Sequence, residues 1–378
     1  MARFSMVHVS GIVLTLGMTL GALPSAAQMG GQTVSSQVQL ERIKLPAGFK
    51  IEVYAQVPEA RSMAVVPELN AVFVGNRRGD KVYVVVDSDQ DGKAEEAKPI
   101  ASGLKSPNGI AWHNGFLYIA EQHRVIRIPA PDLKSIDGTK REVVLDGLPD
   151  KSHHGWRYIG FDPKGQLYVT IGSPCNICVP EGLEGKIVRV DDGKPRIVAS
   201  GHRNSVGMDW HPKTGQMYFT DNGADNMGDD TPPDELNVLT VEGQDFGFPS
   251  YGGGESKTKE FGAKATNDMV QPVVKFGAHV AALGLTFYRG SAFPQDYRTD
   301  AFVAQHGSWN RSTPDGYRVM RIKMEADGKI VGVEPFAEGW LQGRTAWGRP
   351  VDVKELKDGS LLVSDDAGGR IYRISYAK

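Results

Sequence analysis

The chain reads as an all-β protein, a six-bladed β-propeller. A strand–turn–strand unit recurs six times, its copies fall at propeller spacing, and glycine is abundant at 45 of 378 residues. Each copy is a short apolar strand, a turn with glycine or asparagine, and a second strand ending in a small or acidic residue. The copies run Met63-Ala64-Val65 to Val72-Phe73-Val74, Gly109-Ile110-Ala111-Trp112 to Leu117-Tyr118-Ile119, Ile159-Gly160-Phe161 to Leu167-Tyr168-Val169, Val206-Gly207-Met208-Asp209-Trp210 to Met217-Tyr218-Phe219, Leu285-Thr286-Phe287 to Ala301-Phe302-Val303, and Val351-Asp352-Val353 to Leu361-Leu362-Val363. With Phe73, Tyr118, Tyr168, Tyr218, Phe302 and Leu362 as equivalents, the intervals are 45, 50, 50, 84 and 60 residues. Repeats of roughly 40–50 residues built from alternating strands are the mark of a propeller.

Further apolar strands complete the blades, among them Val125-Ile126-Arg127-Ile128 and Arg370-Ile371-Tyr372-Arg373-Ile374. A blade cannot bury both faces alone, so residues 43–378 are expected to form one cooperative ring. The strand at 49–57 is expected to pair into the last blade and close it. The longest interval holds the glycine-rich stretch 243–262, which predicts an insertion in blade five.

At the N-terminus, Arg3 precedes an apolar run at 12–23 and then Ser25-Ala26-Ala27. This is the pattern of a cleavable signal peptide over 1–27, and the run is shorter than the roughly 20 residues that span a bilayer. A periplasmic or secreted protein with no membrane span in its mature form follows, with residues 28–42 as a flexible tail. The net charge of −2 gives no basic stripe for nucleic acid and no polybasic membrane patch, so a small-molecule partner is favoured. The two cysteines, Cys175 and Cys178, could form a disulfide, a redox pair, half a zinc site or a haem attachment. Val179 stands where haem attachment needs histidine, and no second pair completes a zinc site. In an oxidising compartment the expected reading is a local disulfide.

Propellers bind ligands on loops at one mouth of the channel, where polar residues interrupt the strand pattern. Ser152-His153-His154-Gly155-Trp156-Arg157 enters blade three, and a histidine there can act as general base; two solvated loop histidines are the alternative. Gly201-His202-Arg203-Asn204 enters blade four and suits an anionic or carbonyl-rich ligand, a structural salt bridge being the alternative. Thr220-Asp221-Asn222-Gly223-Ala224-Asp225, continuing to Asp234-Glu235-Leu236-Asn237, offers the hard oxygen ligands calcium prefers, or is simply a solvated acidic loop. Gly348-Arg349-Pro350 enters blade six, with Trp309-Asn310-Arg311 expected nearby, and cations on opposite walls would grip a polycarboxylate. Separately, Asp87-Ser88-Asp89-Gln90-Asp91-Gly92 matches the first half of an EF-hand calcium loop, but Lys98 occupies position twelve, where glutamate belongs.

Taken in order on successive blades, these stretches resemble the soluble sugar dehydrogenases that use pyrroloquinoline quinone (PQQ). Cys175-Asn176-Ile177-Cys178, His306-Gly307-Ser308-Trp309-Asn310-Arg311 and Gly348-Arg349-Pro350-Val351-Asp352-Val353 are similar to the sorbosone dehydrogenase-like branch. The resemblance runs from about residue 44 to the end. It implies PQQ and Ca2+ as cofactors, and a dehydrogenase that oxidises a sugar, sugar aldehyde or polyol and passes electrons to a periplasmic cytochrome or quinone. It further implies His153 as base, with Arg203 stabilising charge on the quinone. Arg203, Asn204, Asn222 and Arg349 would contact the cofactor, and the carbonyls of Gly223 and Ala224 would hold calcium. Ala224 stands where the family often has proline, and Val351 where it has a second arginine, for which Arg311 is the expected substitute. The family's cofactor-binding lysine has no counterpart. Two other classes stay open: a calcium-dependent propeller lactonase, and a non-catalytic sugar- or protein-binding propeller.

Overall fold

The computed structural model describes residue 1, the backbone of 27–29 and 32–34, and residues 37–377; apart from its two ends, the leader at 1–27 lies outside the described residues. Six antiparallel sheets of four principal strands are arranged in a ring. From the channel outward, blade one comprises Ala60–Val66, Ala71–Asn76, Val82–Val86 and Glu96–Ala101, and blade two Gly109–His113, Phe116–Ala120, Val125–Pro129 and Glu142–Leu145. Blade three comprises Ile159–Phe161, Leu167–Ile171, Lys186–Asp191 and Lys194–Ser200, and blade four Met208–Trp210, Met217–Asp221, Pro233–Leu239 and Val274–Ala278. Blade five comprises Ala282–Phe287, Ala301–Gln305, Arg318–Met324 and Ile330–Glu338. In blade six, Pro350–Glu355, Leu361–Asp365 and Arg370–Tyr376 are joined by Phe49–Gln56, so the first long strand closes the ring against the last one as its position predicts.

The register shows why the repeat was legible. The six equivalent residues all pair with the inner strand at one level, Phe73 with Ala64, Tyr118 with Ala111, Tyr168 with Gly160, Tyr218 with Asp209, Phe302 with Thr286 and Leu362 with Lys354. Alternation along each strand sends neighbouring side chains to opposite faces. The apolar ones therefore pack between blades, in six clusters that each join two adjacent sheets; Phe73, Val84, Ile110 and Ile126 fill the space between blades one and two. Each large side chain so buried contributes about 1.5–3 kcal/mol, and each interface depends on both of its blades.

Two expectations need adjustment. The glycine-rich stretch lies in blade four, between its third and fourth strands, and not in blade five. It crosses to blade three, where Gln244–Asp245 pairs in parallel with Ala199 and Ser200. The 84-residue spacing was ambiguous because an insertion before a blade's outer strand and one in the next blade lengthen the same interval. The packed body also starts before residue 43: Val38 and Leu40, in the stretch read as a flexible tail, pack against the core between blades five and six. No helix among the described residues is long and apolar enough to cross a membrane.

Candidate active site

A cavity of about 510 Å³ opens at one mouth of the channel. Loops at the blade entrances supply its walls, and these include the ones the sequence singled out: His153 and His154 from blade three, Arg203 and Asn204 with Asn222 and Gly223 from blade four, and Arg349 from blade six all line it.

His153 is placed by its neighbours. The Arg157 guanidinium is buried and donates to the carbonyls of Gln122, His154 and Pro149, which staples the loop from 149 to 154. His154 takes a left-handed φ of 51° and packs inward, with Nδ1 2.8 Å from the Ser173 carbonyl. His153 stands over it at 4.0 Å between ring centroids and exposes its imidazole to the cavity. Burial lowers its pKa from the usual 6.5, and the Arg203 charge lowers it further against the opposing pull of Asp225. Burial holds His154 well below the usual value, with Arg203 and His153 adding to the effect. Both shifts favour the neutral ring, and of these two lining histidines His153 is the exposed one while His154 is buried.

Arg203 is the most constrained cation in the site. Its Nε donates to the Asn176 carbonyl, Nη1 to the carbonyls of Gly223 (2.9 Å) and Asn222, and Nη2 to Asn176 Oδ1 and Asp225 Oδ2 (2.7 Å). All five donor positions are thus engaged, so Arg203 acts on the cavity chiefly as a fixed charge. Asn176 sits inside the loop closed by the Cys175–Cys178 disulfide, which forms as expected. The same Asn176 amide also accepts the Asp225 N–H and donates to the Asp225 carbonyl. The disulfide loop is therefore the scaffold that orients Arg203 and Asp225. Asn176→Ala removes a charge-assisted bond worth about 1.5–3 kcal/mol. It is expected to lower the unfolding midpoint correspondingly and kcat/KM about 10- to 100-fold, as denaturant titration and steady-state kinetics of the folded protein would show.

The structure separates the remaining assignments. Arg349 is buried, its Nε donating to the His306 carbonyl and Nη2 to that of Gly307, and it faces the cavity. Arg311 does not line the cavity: its guanidinium turns outward to the carbonyls of Asp229, Ala278 and Thr313, because the loop at 229–230 folds over it. Three further arginines, Arg61, Arg77 and Arg78, line the cavity from blade one, next to Arg349 of blade six. Asp366 holds two of them, lying 3.1 Å from Arg61 and 3.2 Å from Arg77, and accepts from His306 Nε2 at 2.7 Å. Burial alone would raise the Asp366 carboxyl; His306, Arg77 and Arg61 outweigh it and hold it far below the ordinary range. Arg61 could have been read from the sequence as the cation entering blade one, as Arg349 enters blade six. Nothing local marked Arg77 or Arg78, which follow a second strand.

Of the two carbonyl carriers, Gly223 lines the cavity, while Ala224 lies fully buried behind it. The Ala224 N–H donates to the Gly252 carbonyl at 2.6 Å and so ties the loop to the blade-four insertion. That insertion supports the site from behind and contributes no lining residue from 243 to 262. Beneath the loop, burial raises Asp234 to about 7 against the Gly223 and Ala282 N–H groups that donate to it. Burial likewise raises Asp221 to about 8, with Glu235 adding to the effect. Asn204 Oδ1 and Asn310 Oδ1, both on lining residues, are buried acceptors with no hydrogen-bond partner among the described residues.

A propeller whose channel mouth gathers five arginines, a neutral histidine and unpaired amide oxygens is built to hold a polyanionic or carbonyl-rich small molecule. Residues 58–373 match the family model described as Glucose / Sorbosone dehydrogenase, and the chain belongs to that family. It is 34% identical over 363 residues to an uncharacterized protein of Borreliella burgdorferi, covering 92% of this chain and 94% of that one. It is 24% identical to a pyrroloquinoline quinone-dependent pyranose dehydrogenase of Coprinopsis cinerea, over 76% of this chain and 48% of that longer protein. Among solved structures, the holo PQQ domain of the Coprinopsis cinerea pyranose dehydrogenase superposes with a TM-score of 0.73 at 18% identity, over 88% of this chain and 97% of that one. The apo soluble aldose sugar dehydrogenase of Escherichia coli gives 0.65 at 18% identity, over 87% and 99%. These structures share the fold.

Proposed function

We propose that this oxidoreductase of the glucose/sorbosone dehydrogenase family oxidises a sugar, sugar aldehyde or polyol with PQQ as hydride acceptor and Ca2+ beside it. The observation that carries the reading is the convergence of the exposed His153 imidazole with Arg61, Arg77, Arg78, Arg203 and Arg349 on one cavity of about 510 Å³, a size suited to a cofactor with its substrate. The arginines fit the carboxylates of PQQ, and the unpaired Asn204 and Asn310 oxygens fit a donor or a cation. The Gly223 carbonyl, which accepts from Arg203, would hold calcium together with Asp234, whose carboxylate accepts the Gly223 N–H. The Ala224 carbonyl is the weaker half of the carbonyl pair, since Ala224 does not line the cavity.

When bound, PQQ supplies the two-electron acceptor and calcium polarises its carbonyl. The residues of this chain do the rest. His153 takes the hydroxyl proton as hydride leaves the adjacent carbon, and the fixed Arg203 charge favours the negative charge that then develops. Electrons pass on to a cytochrome or quinone. Export to the periplasm is part of the proposal, supported by the leader pattern and by a disulfide that oxidising surroundings would maintain.

The test is reconstitution of quinone-free protein with PQQ and calcium, followed by a substrate panel with an artificial acceptor. Dye reduction dependent on both additions, and lost on chelation, is the expected result. Lactone opening with calcium alone would move the protein to the hydrolytic class, and sugar binding without dye reduction to the binding class.

A further inference from the structure

The loop joining the third and outer strands of blade one lies apart from the cavity and has no part in the proposed reaction. One oxygen from each of Asp87, Asp89, Asp91 and Glu95 lies within 4.8 Å of the others. Opposite ligands of one calcium ion stand about 5 Å apart at most, so the four oxygens fall within the span of a single ion. The sequence pattern failed at Lys98, but the chain reaches the cluster from three positions earlier. Ser88 donates its N–H (2.6 Å) and its hydroxyl (2.7 Å) to Glu95 Oε2, which turns that carboxylate back over the loop.

Acidic loops are common, and a second observation singles this one out. Asp87 is only 9% exposed. Its Oδ2 accepts the Gly92 N–H at 3.0 Å and the Gln90 N–H also approaches the carboxylate, while Oδ1 is shielded from solvent and makes no well-formed hydrogen bond among the described residues. A buried carboxylate oxygen without a well-formed hydrogen bond costs stability, and three further carboxylates around it add repulsion. Water could satisfy the acceptor but could not offset the charge; a hard divalent cation does both.

We propose that this loop binds a structural calcium ion, distinct from any cation in the cavity, through Asp87, Asp89, Asp91 and Glu95. The loop rests on the joint that closes the ring. Ala94 N–H donates to the Tyr54 carbonyl at 2.8 Å, and Gly92, at a φ of 91°, lies so close to the Arg373 guanidinium that a Cβ there would meet it at 2.4 Å. Tyr54 and Arg373 belong to the two strands whose pairing completes blade six. Calcium at the loop therefore braces the closing strand.

The experiment compares the full-length quinone-free protein with its Asp89→Asn/Asp91→Asn variant, both positions being exposed and remote from the cavity. Calcium chloride alone is titrated, with bound calcium counted by equilibrium dialysis and thermal unfolding followed in parallel. The variant is expected to bind one calcium fewer per chain and to lose part of the calcium-induced rise in unfolding temperature. Equal stoichiometry in the two proteins, or an equal rise, would overturn the proposal. Calcium at the cavity is retained by the variant, so loss of catalysis and loss of this site read out separately.

Discussion

Replacing His153 by alanine should reduce turnover by at least about a hundredfold, the usual contribution of a positioned general base, while quinone binding stays nearly intact. The expectation rests on placement: both adjacent histidines line the cavity, but His154 is buried with Nδ1 committed to the Ser173 carbonyl, whereas the His153 ring is exposed. His154→Ala should cost stability and leave turnover within about tenfold. The pH profile has a definite sign. A base works in its neutral form, so activity is full above the His153 pKa and falls as pH drops through it, with a midpoint below 6.5 because burial and Arg203 disfavour the imidazolium. Near-normal turnover in quinone-loaded His153→Ala beside an inactive His154→Ala would move the base by one residue.

The second large effect belongs to Asp366. Its fully buried carboxylate faces Arg61, Arg77 and His306, so Asp366→Asn leaves two guanidinium groups without their shared counter-charge. Breaking a buried pair from one side costs about 3–5 kcal/mol, measurable as a lower denaturant midpoint at pH 7. The sign with pH follows from linkage. The folded-state pKa of Asp366 is depressed, so its contribution is complete above the unfolded value near 4 and is lost as pH falls toward the folded value. The two proteins should therefore converge in stability on the acid side. A variant as stable as the parent at neutral pH would mean that the arginines do not need this carboxylate. The exposed Asp230, paired with Arg311 at the surface, is the control, and its asparagine variant should unfold like the parent.

The blade repeat was legible because each blade places an aromatic or leucine at one level of its second strand, and that residue has to fill the same space between sheets. The site loops were legible because His153, Arg203, Asn204 and Arg349 interrupt apolar strands at blade entrances. What escaped was tertiary in origin. Arg77 and Arg78 reach the cavity because the ring closes and brings blade one beside blade six, and no local pattern encodes that approach. Arg311 misled because it neighbours Trp309 and Asn310, which do line the cavity, while its own side chain turns to the loop at 229–230. In the sequence Asn176 is simply a residue between two cysteines; its hold on Arg203 and Asp225 emerges once its loop meets those of residues 203 and 225.

Equilibrium binding of PQQ to the quinone-free protein, with calcium present, measures the central claim most directly. The account predicts one quinone per chain, with affinity reduced at least about tenfold in both Arg349→Ala and Arg61→Ala, since each removes one charged contact from the same cavity. No binding, or binding that neither substitution weakens, would contradict it.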